Sequence, residues 1–99
     1  MASFQVVVLD ETSAKVYGSL QLDNLSDLKR VDMPAPQQDF SLDLAKVKQP
    51  SSFLVAWILD LKKQWTKQGF ELSLLNLSTD FKALCQLYDL HTLMLTEKT

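Results

Sequence analysis

The apolar positions change period several times along the chain, and each change marks an element. Phe4, Val6, Val7, Val8 and Leu9 form an opening β-branched and aromatic run that predicts a first strand. Asp10-Glu11-Thr12-Ser13 reads as a turn, and Val16 and Tyr17 begin a second, shorter strand whose end Gly18 can bend. A hairpin is the economical connection across a short polar loop. Leu22, Leu25 and Leu28 then recur at helical spacing with Asp23, Lys29 and Arg30 between them, which predicts a short amphipathic helix ending before Pro34. Pro34 to Gln38 is a loop, too short for an interdomain linker.

Phe40, Leu42 and Leu44 alternate with Ser41, Asp43 and Ala45, predicting a third strand. Pro50-Ser51-Ser52 leads into a strongly apolar helix from Phe53 to about Gln68. A serine before such a run is a natural N-cap, because its oxygen accepts from the unpaired amides of the first turn. Lys62, Lys63 and Lys67 suit the negative end of the helix dipole, and Gly69 supplies a left-handed stop. Phe70 to Leu77 is nearly continuous in apolar residues and predicts a fourth strand buried on both faces. Ser78 caps a last helix whose Phe81, Leu84, Cys85 and Tyr88 make a core-facing stripe, and Thr92 to Leu95 reads as a short closing strand or extended tail. Strand–helix–strand units of this kind imply an α/β fold, a mixed and mostly parallel sheet of four to five strands with about three helices and an antiparallel hairpin at one edge.

Composition narrows the function. The chain has 99 residues, with Lys+Arg 10 against Asp+Glu 12 and a net charge of -2. One domain over residues 1–99 is the expectation from length. An acidic balance argues against general nucleic-acid binding, which needs a basic face to displace counterions. The longest apolar run, Phe53 to Leu59, is far below the ~20 residues of a transmembrane helix. The first residues lack the basic start of a secretory signal. One Cys and one His exclude a disulfide framework and a multi-Cys zinc site, so neither metal nor cofactor is expected. A reduced, cytoplasmic setting fits the single thiol.

Catalytic constellations fail on inventory. No P-loop and no Gly-x-Ser-x-Gly elbow is present. His91 stands alone near the C-terminus, and Cys85 on its apolar stripe reads as a small core hydrophobe. Asp39 and Asp43 pair only loosely across a strand, a weak basis for an acid–base dyad. Trp57 is expected in the core. Trp65, among Lys62, Lys63 and Lys67, reads either as an aromatic lid on the sheet with the lysines snorkelling over it or as a partly exposed contact to an acidic partner or membrane surface. The most informative place is Pro50-Ser51-Ser52-Phe53-Leu54, where a loop after a strand delivers two hydroxyls to a helix N-terminus. Such a position serves as a cap, an anion site or a phosphorylation switch.

The order and spacing of these segments resemble a STAS domain, the fold of anti-sigma factor antagonists and sulfate-transporter tails. The resemblance is carried by Leu42-Asp43-Leu44-Ala45-Lys46-Val47, by Ser51-Ser52-Phe53-Leu54 opening the long helix, and by Lys67-Gln68-Gly69 closing it. Leu72 to Ser78, Leu84-Cys85-Gln86-Leu87-Tyr88-Asp89-Leu90 and Tyr17-Gly18-Ser19-Leu20 complete it. Within the family the helix end and the leucine-rich close are most similar to the small stand-alone subunits of phospholipid-transport ABC complexes. The resemblance implies a non-enzymatic cytoplasmic subunit at the inner-membrane face. It would bind the transporter's ATPase, support its assembly and activity, and so help to maintain outer-membrane lipid asymmetry. It also implies an alternative: an anti-sigma factor antagonist that an anti-sigma kinase phosphorylates. By the same resemblance Ser52 falls on the family's phosphorylatable or partner-contacting position, with Ser51, Phe53 and Leu54 around it and Asn76, Ser78 and Thr79 as a second partner surface. Ser51 replaces the family's usual Asp, and Phe53 and Leu54 replace small residues. Those replacements favour a constitutive apolar contact with Phe53 as its anchor.

Overall fold

The computed structural model describes residues 4–87. The elements are β1 (Phe4–Asp10), β2 (Ser13–Ser19), a 3₁₀ segment (Leu22–Arg30), β3 (Phe40–Gln49), α1 (Ser52–Lys67), β4 (Leu72–Leu75) and α2 (Thr79–Leu87). They build one four-stranded sheet in the order β1-β2-β3-β4. β1 pairs antiparallel with β2, whereas β2–β3 and β3–β4 are parallel. This is the mixed, mostly parallel α/β architecture with three helical segments that the hydrophobic pattern predicts. The expected closing strand at Thr92–Leu95, and His91 and Tyr88, lie outside the described residues.

The core forms where the inward positions of the strands meet the apolar stripe of α1. Phe4, Ala14, Val16, Phe40, Leu42, Leu44, Leu72 and Leu74 are buried on the sheet side. Leu54, Val55, Ile58, Leu61 and Trp65 are buried from the helix, a stripe at helical spacing. Phe81 and Cys85 complete the same cluster from α2. Cys85 is fully buried, and burial raises its thiol pKa, so it is the inert core hydrophobe its position predicts.

Trp65 packs down on the sheet, as the lid reading has it and not as an exposed contact, whereas Trp57 is less buried than expected. Trp65 is 1% exposed and Trp57 only half-buried. Trp65 lies on the Leu54–Ile58–Leu61 stripe, seven and four residues on from its last two members, whereas Trp57 stands at its margin. The indole N–H of Trp65 donates to the Gln38 carbonyl at 3.0 Å, and its ring lies 5.5 Å from that of Phe40. A buried tryptophan therefore has its polar atom satisfied. Trp57 meets Phe4 edge-on at 5.3 Å.

Three boundaries differ from the pattern. The segment after β2 is 3₁₀ rather than α-helical, because the buried Asn24 folds its side chain back onto the backbone. Its Nδ2 donates to the Ser19 carbonyl at 2.9 Å, its Oδ1 accepts from Gln21 N–H at 2.6 Å, and its own φ/ψ is non-helical. Leu22 is thereby turned out, 75% exposed, while Leu25 and Leu28 stay against the core. β3 runs on to Gln49, since its second half still pairs with β2. β4 is shorter than Phe70–Leu77. Leu72, Ser73 and Leu74 are buried on both faces as the run predicts, but Asn76 takes a left-handed φ of 58° and ends the strand.

α1 ends on a Schellman motif. Gly69 sits at φ 85°, its N–H donates to the Thr66 carbonyl at 3.0 Å, and Phe70 N–H donates to the Trp65 carbonyl at 3.0 Å. Nothing crowds a Cβ at Gly69, so its positive φ alone asks for glycine.

Candidate functional site

Parallel strands leave their connecting turns together at the carboxyl end of the sheet, where open α/β folds present their ligand and partner surfaces. Here β2 delivers Leu20 and Leu22 to that end, β3 delivers Ser51 to Leu54, and β4 delivers Asn76 to Thr79. The second half of β3 runs past the end of β4, so the Asn76 turn and the start of α1 are staggered along the sheet.

Ser51 and Ser52 have separate duties. Ser51 is the N-cap of α1, accepting from Leu54 N–H at 3.2 Å, and its hydroxyl also donates to the Leu20 carbonyl. One hydroxyl thus closes the helix start and ties it to the end of β2. Ser52, the first helical residue, is exposed, and among the described residues its hydroxyl has no partner. Phe53 follows it, 36% exposed. The first turn of α1 contains no acidic residue, so the positive end of its dipole is not neutralised within the helix.

Leu54 is placed differently from the expectation. Its side chain is 0% exposed and belongs to the core cluster, because the helical period brings it to the inner stripe with Ile58 and Leu61. It anchors the helix start from beneath and offers no side-chain surface to a partner. The outward tip consists of Ser52 and Phe53. Leu22, which the helical spacing assigns to a core face, is also exposed at this end of the sheet. It lies two residues beyond the carbonyl that Ser51 holds, just as Phe53 lies two residues beyond Ser51. Asn24 was the available signal, since an asparagine inside a short helical pattern competes for backbone bonds.

The Asn76 turn repeats the arrangement. Ser78 caps α2, its hydroxyl accepting from Phe81 N–H at 3.0 Å, and Thr79 is the exposed first helical residue. Asn76 donates from Nδ2 to Asp43 Oδ1 at 2.9 Å, and Ala45 N–H donates to the same oxygen at 2.9 Å. Burial pushes the Asp43 pKa up. The bonds from Asn76 and Ala45, with the charges of Lys15 and Lys46, outweigh it and hold Asp43 below the usual aspartate range.

The weakly suggested acid–base pair is not assembled. Asp39 accepts instead from Glu71 N–H at 2.9 Å, at the other end of β4 from the Asn76 turn that Asp43 holds. Among the described residues no group of three His, Cys, Asp or Glu side chains can hold a metal ion. No helix among them is long and apolar enough to cross a membrane.

A family model described as Mlab, STAS domain matches residues 7–96. The chain belongs to the STAS domain family, whose members act generally as protein-interaction modules rather than as catalysts. No curated protein matched the sequence.

Proposed function

We propose that this STAS domain is a non-enzymatic subunit of a phospholipid-transport ABC complex. In this reading it docks through the first turn of α1 onto the cytoplasmic ATPase, and supports its assembly and activity in maintaining outer-membrane lipid asymmetry. It would work at the cytoplasmic face of the inner membrane, held there by its partner. The observation that carries the reading is the exposed Ser52–Phe53 tip on a helix start that Ser51 has already fixed. A phenylalanine kept partly in water on a rigid turn is a suitable anchor for an apolar pocket, since aromatic anchors in desolvated pockets dominate interface energies. The description of the matching family model supports the choice of complex. Asn76 and Thr79 form a secondary contact on the neighbouring turn.

The test is co-purification with the ATPase of a phospholipid ABC transporter. The wild-type chain retains it, and Phe53→Asp loses it by at least tenfold in affinity, while the thermal midpoint stays within a few degrees because Phe53 is outside the core. Undiminished retention of Phe53→Asp overturns the reading.

A second reading is favoured by the exposed and unpartnered hydroxyl of Ser52 at a helix N-terminus. A phosphate there would face the positive dipole end and place about two negative charges on the tip. This is the device of an anti-sigma factor antagonist. It requires that a cognate anti-sigma kinase with ATP add one phosphate, absent in Ser52→Ala.

A further inference from the structure

β1 ends the sheet, and among the described residues nothing pairs with its outer edge. Natural edges are usually blunted by lysines, prolines or covering elements. Between Phe4 and Leu9 this one has no charge and no proline. It also leaves Val7 37%, Val8 41% and Leu9 54% exposed.

The direction of each backbone group along that edge follows from one hydrogen bond. Phe4 N–H donates to Asp27 Oδ2 at 3.1 Å, so it points away from β2. Alternate residues of an antiparallel pair point in and out. Gln5 and Val7, paired with Tyr17 and Lys15, therefore bond inward, and Val6 and Val8 turn their N–H and C=O groups outward. Asp27 closes the edge at Phe4, and a bulge between Val8 and Asp10 closes it at the other end. The open stretch is Gln5–Leu9, centred on Val7.

We propose that this edge is the self-association surface of the protein, joining two copies by antiparallel β1–β1 pairing about a twofold axis at Val7. Antiparallel pairing about that centre sets Val6 opposite Val8, Val7 opposite Val7 and Gln5 opposite Leu9 of the second copy. The outward groups are those of Val6 and Val8, so the register makes four backbone hydrogen bonds. It sets no like charges face to face. Val8 of the second copy then lies beside Val6, where a groove of about 360 Å³ opens between β1 and the 3₁₀ segment, lined by Phe4, Gln5, Val6, Asp27, Arg30 and Val31. A register that sets valine against valine through its centre and a groove for the opposing valine point to a second copy rather than an unrelated strand, and the contact closes as an isologous dimer.

Sedimentation velocity of the full chain over a wide concentration range tests this. The mass should climb from one chain towards two as concentration rises, and the Val6 and Val8 amides should slow their hydrogen exchange over the same range. Val7→Lys sets two ammonium groups opposite each other. Val8→Pro removes an outward N–H without touching a bond to β2. Each should hold the mass at one chain, with the circular dichroism spectrum of a folded protein confirming that the sheet survives; Val7→Lys serves alone where Val8→Pro does not fold. Phe53→Asp, which tests the ATPase contact, should leave the dimer unchanged. A mass of one chain at every concentration overturns the proposal, as does a dimer that persists in folded Val7→Lys or Val8→Pro. Protection of Val6 and Val8 that is independent of concentration also overturns it.

Discussion

At the residue scale the informative pair is Ser51 and Ser52, chemically identical neighbours with opposite exposure to consequence. Ser51 supplies the oxygen for Leu54 N–H and the proton for the Leu20 carbonyl. Removing it leaves two backbone groups beside a core residue without their partner, and lost caps cost ~1 kcal/mol, up to about 2. Ser51→Ala should therefore lower the urea midpoint by an amount corresponding to about 1–2 kcal/mol. Ser52→Ala removes an exposed hydroxyl with no protein partner, and surface changes of that kind stay within about 0.5 kcal/mol. Paired urea melts of the two variants check the division. Equal destabilisation would mean that the cap and the tip are not separate. The division matters for function, because it allows the outer hydroxyl to be buried against a partner, or modified, without dismantling the helix start.

At the scale of elements, legibility follows how much of an element's signal is local. β1, β3 and α1 could be read directly because their apolar periods, caps and breakers lie within their own residues: Ser51 before α1, Gly69 after it, alternation through Phe40–Leu44. The Ser51–Ser52 tip was legible for the same reason, since a cap and an exposed first turn are set by the few residues around them. What was not legible depends on partners far away in the chain. The extension of β3 to Gln49 exists because β2 lies beside it, and no pattern within Lys46–Gln49 announces that pairing. The pattern leaves Trp65 open between a lid on the sheet and an exposed contact and sets Trp57 in the core; angular position on the helix and the Gln38 carbonyl that accepts the Trp65 indole proton decide for the lid and leave Trp57 at the margin. Leu54 was drawn into the partner surface by its neighbours in sequence, although a step of one residue on a helix turns the side chain by about 100°. The exposure of Leu22 follows from the back-bonding of Asn24, a conflict between propensity and period that only the folded loop decides.

At the scale of the whole molecule the carboxylate of Asp43 connects more of the sheet than any other single polar group described above. It stands on β3 opposite Lys15 of β2 and accepts from Asn76 in the turn that ends β4, so three strands and the second partner-facing turn meet on it. Its pKa is lowered in the folded state although burial opposes this, because the Asn76 and Ala45 donors and the fields of Lys15 and Lys46 favour the charged form. A carboxylate depressed on folding contributes stability above the unfolded aspartate pKa and loses it as pH falls through the folded value. The contribution should thus be complete at neutral pH and disappear below the usual aspartate range. Asp43→Asn keeps an oxygen for both donors but discards the charge, so the variant should be less stable than the wild type near neutrality, with the gap narrowing steadily on acidification. Asp10 is also held low, by Thr12 and Ser13, and weakens the protein in acid too, yet it is present in both chains and cancels in the difference. Urea midpoints of both proteins from neutral to strongly acidic pH measure that gap. A difference that stays constant with pH would show that Asp43 acts through hydrogen-bond geometry alone, and that its charge does not hold the three strands together.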